Sequence, residues 1–236
     1  MKIAVLNFSG KVGKSTIARH LLLPRIEGAE LIAVESLNAD ESQGQALRGR
    51  QFGELQEYLQ TVDNVVVDVG ASNVEDLLGL MHRYRESHED CDCFVVPTFP
   101  ELMQQQDTIA TLVELADLGV TPSRLKLVFN MLEDDLDVEH SFKYMLAFLG
   151  QQPIASADPA CCLSKNEIYG RVKESGADLS ALVRDETDYK AMIVKARSTA
   201  DKLALAQRLA TRRLASGVVP ELDACFAALA LNQRPA

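Results

Sequence analysis

The chain has 236 residues, is 47% hydrophobic and 25% charged, and carries a net charge of -10 at pH 7. That composition is globular and long enough for one large α/β domain, and its acidic balance excludes whole-body attraction to nucleic acid. No apolar run approaches the roughly 20 residues that span a bilayer, and the first apolar stretch is a short strand-like run broken by Asn7 rather than a secretory leader, so a cytoplasmic location is expected.

Apolar runs of strand type recur at 2–8 (KIAVLNF), 31–35 (LIAVE), 64–69 (NVVVDV), 93–98 (CFVVPT) and 125–130 (LKLVFN). They are continuous rather than alternating, as strands buried on both faces of a parallel sheet are. Helix-like stretches lie between them. One runs from Ser15 to Leu23 and stops at Pro24. A second follows Ser72, which with Glu75 reads as a capping box. A third follows Pro100 and ends at Gly119, and a fourth runs from His140 to Leu149. Residues 186–214 read as one long helix, and Pro220 reads as the start of a short terminal one. The alternation predicts a doubly wound, mostly parallel α/β sheet with helices on both faces and a helical C-terminus. We expect one domain over 1–236, with a core of about 1–180 and C-terminal helices over about 186–232.

The first strand leads into LNFSGKVGKST. Strand, Gly-containing loop, Lys-Ser and helix is the setting of a phosphate-binding P-loop. Small residues let backbone N–H groups face phosphate oxygens, and the helix N-terminus favours an anion. Over Ser9, Gly10, Lys11, Val12, Gly13, Lys14, Ser15 and Thr16 this predicts a nucleotide-binding segment. Lys14 is expected on the β/γ-phosphates and the Ser15 hydroxyl on Mg²⁺. Asp68, closing the run NVVVDV, is the expected second magnesium group.

SGKVGKST, VVVDVGAS and FVVPTFPE together resemble the ParA/MinD group of deviant Walker-A P-loop ATPases, with spacing that fits over about residues 1–180. The opening FSGKVGKSTIARHLLLPRI is most similar to the plasmid-stability StbB proteins. The resemblance implies ATP and Mg²⁺ as cofactors and a nucleotide-dependent homodimer. It also implies a DNA-binding partner protein and a role in plasmid stability, partitioning or conjugative transfer. It places Asn130, at the end of LKLVFN, against the adenine; the plainer reading is a strand-end Asn in a turn. ACCLSKNEIYGRV, at 160–172, resembles the group's late segment near the base.

The chain departs from the group in two places. Ser9 stands where the group carries its signature lysine. Lys11 stands at the second glycine, and either supplies that charge from a shifted position or is a solvated loop residue. Where the group has Asp-x-Asp, this chain has Glu35-Ser36-Leu37. Glu35 can serve the magnesium shell, but Leu37 cannot orient a water. Slow Mg-dependent ATP hydrolysis with Lys14, Lys11 and Asp68 as the catalytic groups is therefore expected. A non-hydrolysing adaptor is the alternative that Ser9 and Leu37 favour. A metabolic P-loop kinase or ligase is a further alternative, and it needs an acceptor pocket with a base, for which the sequence offers no clear residue.

The charge is uneven. Residues 190–213 hold seven basic side chains and one acid, a local charge of +6 that leaves -16 elsewhere. This basic helix reads as a solvated face, or as a nonspecific contact for DNA phosphates; a protein partner or anionic lipid fits its charge as well. The five cysteines show no metal-ligand spacing and are expected to be free thiols.

Overall fold

A computed structural model describes residues 1–34, 44–133, 137–175 and 177–231. The chain divides into two compact units, one of residues 1–165 with 225–236 and one of residues 166–224.

The first unit is built on β1 (Lys2–Val5), β2 (Glu30–Val34), β3 (Val65–Val69), β4 (Cys93–Thr98), β5 (Leu125–Leu132) and β6 (Cys162–Ser164). All five strands expected from the apolar runs are present, and β6 is an addition. The order is β2-β3-β1-β4-β5-β6 and every pair is parallel. Its helices are α1 (Lys14–Thr16), α2 (Gly44–Thr61), α3 (Ala71–Arg83), α4 (Leu102–Asp117), α5 (Val138–Ser141) and α6 (Lys143–Gln151). After α1 the chain winds on through a wider π-helical stretch, Ile17–Leu22, and a 3₁₀ turn, Leu23–Arg25, that carries Pro24.

The strand order fixes where ligands can bind. From β1 the chain runs one way along the sheet, to β2; every later connection runs the other way. Right-handed crossovers then put α1 on one face and α2, α3, α4 and α6 on the other. The helices that follow the neighbouring strands β1 and β4 therefore diverge, which opens a crevice at the carboxyl ends of those two strands. On the α4 side the sheet contributes Ala4, Val65, Val67, Val69, Phe94 and Val96 to a core shared with Phe52, Leu77, Leu112 and Phe142. Burial of β4 throughout, and of most of β1, β3 and β5, explains their continuous apolar runs, whereas the edge strand β2 has no buried residue.

Several helix boundaries differ from the sequence reading. Gly70, not Ser72, caps α3, and Ser72 lies inside the helix, so the capping box does not form. The fourth helix breaks at Phe142, whose φ of -116° and ψ of 27° separate α5 from α6. α4 ends as expected, with Gly119 at φ 97° beyond it.

The second unit holds α7 (Ile168–Ser175), α8 (Leu179–Arg184), α9 (Tyr189–Lys195) and most of α10 (Thr199–Ala228). The single long helix expected over 186–214 is two helices. Ala196 leaves the helix with ψ 135°, and Ser198 starts the next one by accepting a hydrogen bond from the Asp201 N–H at 3.0 Å while its hydroxyl donates to the Asp201 carboxylate. Pro220 does not open a helix but sits inside α10. Val218, Leu222 and Cys225 bury one face straight across it, which offsets the roughly 3 kcal/mol that an interior proline costs. All five cysteines are free thiols. Among the described residues no helix is long and apolar enough to cross a membrane.

Candidate functional site

The loop after β1 lies at the crevice between β1 and β4. Leu6 continues the strand by donating to the Val95 carbonyl at 3.2 Å, and the helix begins with the Ile17 N–H on the Gly13 carbonyl at 2.9 Å. Between them the backbone alternates hand: Lys11 has φ 62° and Gly13 φ 90°. Such alternation turns successive N–H groups toward one concavity, which suits an anion. Among the described residues, the N–H groups of residues 10–16 have no protein acceptor. Water or a ligand oxygen must satisfy them.

Lys14 is the buried cation of the site, 7% exposed. Its ammonium donates to the Ser9 carbonyl at 2.6 Å and the Asn7 carbonyl at 3.1 Å. Burial pulls its pKa from 10.5 down to about 8, against the opposing pull of the Asp68 charge. Asp68 pairs with Val5, the last residue of β1, and alternates with Val67 and Val69 of the α4-side core, so it stands on the α1 face of the sheet. Ser15 is exposed in the first turn of α1.

Asn130, two residues before the end of β5, reaches the loop from the other side. It is 3% exposed, and its amide donates to the Val12 carbonyl at 2.8 Å. Val12 itself is fully buried. Ser9 is buried, whereas Gly10 and Lys11 are exposed at the tip of the loop. The structure thus brings Ser9, Gly10, Lys11, Val12, Gly13, Lys14, Ser15, Thr16, Asp68 and Asn130 to the carboxyl end of the sheet. Glu35, the third expected magnesium group, and Leu37 lie outside the described residues.

The residues present fit a bound nucleoside triphosphate with magnesium. A concave run of unpartnered N–H groups, a buried ammonium and a helix start suit the phosphates. The Ser15 hydroxyl and the Asp68 carboxylate are oxygen donors of the kind Mg²⁺ takes. Among the described residues no group of three or more His, Cys, Asp or Glu side chains could hold a metal ion without such a ligand.

Three buried polar residues at this site were not singled out from the sequence. Asn7, Thr108 and Thr111 are each 0% exposed. The signal was present: Asn7 breaks the first apolar run, and the two threonines lie three apart on the buried face of α4.

No family model matches the chain, and no curated protein matches it. Among solved structures, it is similar to a plasmid partition protein of Borrelia burgdorferi B31 bound to AMPPNP, with a TM-score of 0.47 and 14% identity over 75% of this chain and 89% of that one. It is also similar to the McdA–ATP complex of Cyanothece, with a TM-score of 0.48 and 14% identity over 94% and 96%. At such values neither likeness bears on what this chain binds or does.

Proposed function

We propose that this protein is an ATP-binding nucleotide switch of the ParA/MinD kind, most like the StbB proteins, acting in plasmid stability, partitioning or conjugative transfer. The observation that carries the reading is Lys14, a buried ammonium at the start of α1 inside a loop of unpartnered N–H groups, at the crevice between β1 and β4. ATP bound there supplies the γ-phosphate that separates the two states of the switch. The N–H groups of residues 10–16 hold phosphate oxygens, and Lys14 exchanges its two carbonyl partners for them. Ser15 and Asp68 hold Mg²⁺, with Glu35 as a further oxygen donor. Val12 and Asn130 close the loop on the β5 side, toward the adenine. Lys11, exposed at the loop tip, supplies the positive charge that Ser9 lacks.

Hydrolysis is slow, because a serine replaces the signature lysine and Leu37 cannot position a water. The triphosphate state favours a homodimer in the cytoplasm, and a DNA-binding partner protein couples it to its replicon. Exposed basic side chains of α9 and α10 add a nonspecific, salt-sensitive contact to DNA. The chain forms one functional domain over 1–236.

The deciding experiment is titration of ATP and ADP with Mg²⁺ into wild type and Lys14→Ala, with phosphate release followed in the same samples. Lys14-dependent ATP binding with slow release supports the switch. Binding without any release favours the second reading, a non-hydrolysing adaptor, for which Ser9 speaks: its carbonyl is the closest partner of Lys14 and its side chain carries no charge. No binding to either protein removes the reading at its base.

A further inference from the structure

The entry to the phosphate loop is held by a buried polar cluster that reaches across the crevice to α4. The Asn7 amide donates to the Pro97 carbonyl at 2.8 Å and to the Thr108 hydroxyl at 2.7 Å. Its carbonyl oxygen accepts from the Ser9 N–H at 2.7 Å and faces the Thr111 hydroxyl at 3.4 Å. The Thr111 hydroxyl accepts from the Phe8 N–H at 3.0 Å and donates to the Asp107 carbonyl at 2.8 Å. Thr108 donates to the Gln104 carbonyl at 2.6 Å.

Asn7 therefore uses both donors and its acceptor, and its orientation is fixed. Turning the amide over would set two donors against each other at Ser9. The consequence is directional. The N–H groups of Phe8 and Ser9 are tied up, while the carbonyls of Asn7 and Ser9 are turned toward Lys14, which binds both. α4 thus sets the position of the two carbonyls on which the ammonium rests.

We infer that Asn7, Thr108 and Thr111 are positioning residues that hold the seat of Lys14, so that α4 governs how readily this lysine reaches a phosphate. The three touch neither the concavity nor a ligand; they act through the backbone of Phe8 and Ser9. A buried network with every member satisfied is rigid, and loosening one bond loosens the others. The use made of the seat rests on the phosphate reading above; the seat itself does not.

The test compares full-length wild type with Thr111→Val, which keeps shape and loses the hydroxyl, and Thr111→Ser, which keeps the hydroxyl. Amide exchange at Phe8 and Ser9 and the NMR signal of the Lys14 ε-methylene are read without nucleotide. Mg·ATP affinity is read by calorimetry. Thr111→Val is expected to speed Phe8 exchange at least about tenfold, shift the Lys14 signal and weaken ATP binding about tenfold. Thr111→Ser is expected to restore all three. If Thr111→Val fails to fold, Thr108→Val takes its place: it removes an acceptor of the Asn7 amide but leaves the Phe8 acceptor, so faster Ser9 exchange is expected with the shifted Lys14 signal and the weaker ATP binding. A folded valine variant with wild-type exchange and an unmoved Lys14 signal overturns the inference. If exchange and the Lys14 signal respond while wild type binds no ATP, the seat stands and the phosphate reading falls.

Discussion

Gly13 and Asn130 are fitted to one another: the amide of Asn130 occupies the space that a Cβ on Gly13 would fill, while donating to the carbonyl of the preceding Val12 at 2.8 Å. Gly13 also has φ 90°, which L side chains rarely adopt. Two independent reasons therefore require glycine. Gly13→Ala is expected to lower stability by about 2–4 kcal/mol, roughly 4–16 °C in Tm for a chain of this size, and to weaken ATP binding more than tenfold. Asn130→Ala removes the overlap but not the φ strain. The double variant is expected to be less damaged than the sum of the singles, a coupling that a thermal double-mutant cycle measures. Strict additivity would mean that the two side chains do not meet.

Lys14 carries a penalty when no phosphate is present. Its pKa is lowered to about 8 by burial, so the folded state holds its proton less tightly than the unfolded chain does. Stability is therefore reduced in full below about pH 8 and recovers as pH rises from there through the ordinary lysine value. Lys14→Met removes this penalty together with two hydrogen bonds to carbonyls, so the Tm of the nucleotide-free variant relative to wild type is expected to be highest below pH 8. The Tm of the variant minus that of wild type should fall between pH 8 and pH 10.5, the interval between the two pKa values. A difference independent of pH would assign the effect to packing instead.

The frame of the fold was legible because both-face burial gives strands an unmistakable apolar run, as in Cys93–Thr98, where every residue is buried. What was missed has physical reasons. α2 is polar over much of its length, with Phe52 and Leu59 buried, so its periodicity is weak. β6 is three residues long and is held by its pairing with β5. At the candidate site, the position of Lys14, Ser15 and Asp68 at the carboxyl end of the sheet was legible from strand, loop and helix order. Asn7, Thr108 and Thr111 act through the backbone of other residues and belong to no spacing rule. At Ser72 and Pro220 packing and local dihedrals outweighed a sequence signal for a helix start, whereas at Ala196 the reverse holds: the Ser198 cap broke a helical pattern that reads as continuous.

ATP affinity should depend on pH in the opposite sense to stability. Phosphate oxygens favour protonated Lys14, so its pKa in the complex lies above the value of about 8 in the free protein. Proton uptake then accompanies binding at alkaline pH. Affinity is expected to level off below pH 8 and to fall above it, approaching tenfold per pH unit. Calorimetry in buffers of different ionisation enthalpy reads the proton directly. A flat profile from pH 7 to 10 would mean that Lys14 does not meet the phosphates.

The basic side chains of the second unit do not all serve one purpose. Arg212 is half-buried and committed: it donates to the carbonyls of Asp185 at 2.8 Å and Thr187 at 2.7 Å, and its guanidinium lies 5.1 Å from the centre of the Tyr189 ring. Tyr189 in turn donates to the Asp185 carboxylate at 2.5 Å, and that carboxyl is held down at about 2 by hydrogen bonds from Thr187 and Tyr189. Lys195, Arg197, Lys202, Arg208 and Arg213 are exposed. Arg212→Ala is expected to destabilise the protein by about 1–3 kcal/mol and to leave DNA affinity of the folded fraction unchanged, with no rescue by lysine. Replacing Lys195, Lys202 and Arg208 by alanine should leave Tm within about 2 °C. If these three meet DNA phosphates, the same change flattens the slope of log affinity against log salt by about 3. An unchanged slope would take the second unit out of DNA contact and leave these side chains as a solvated face.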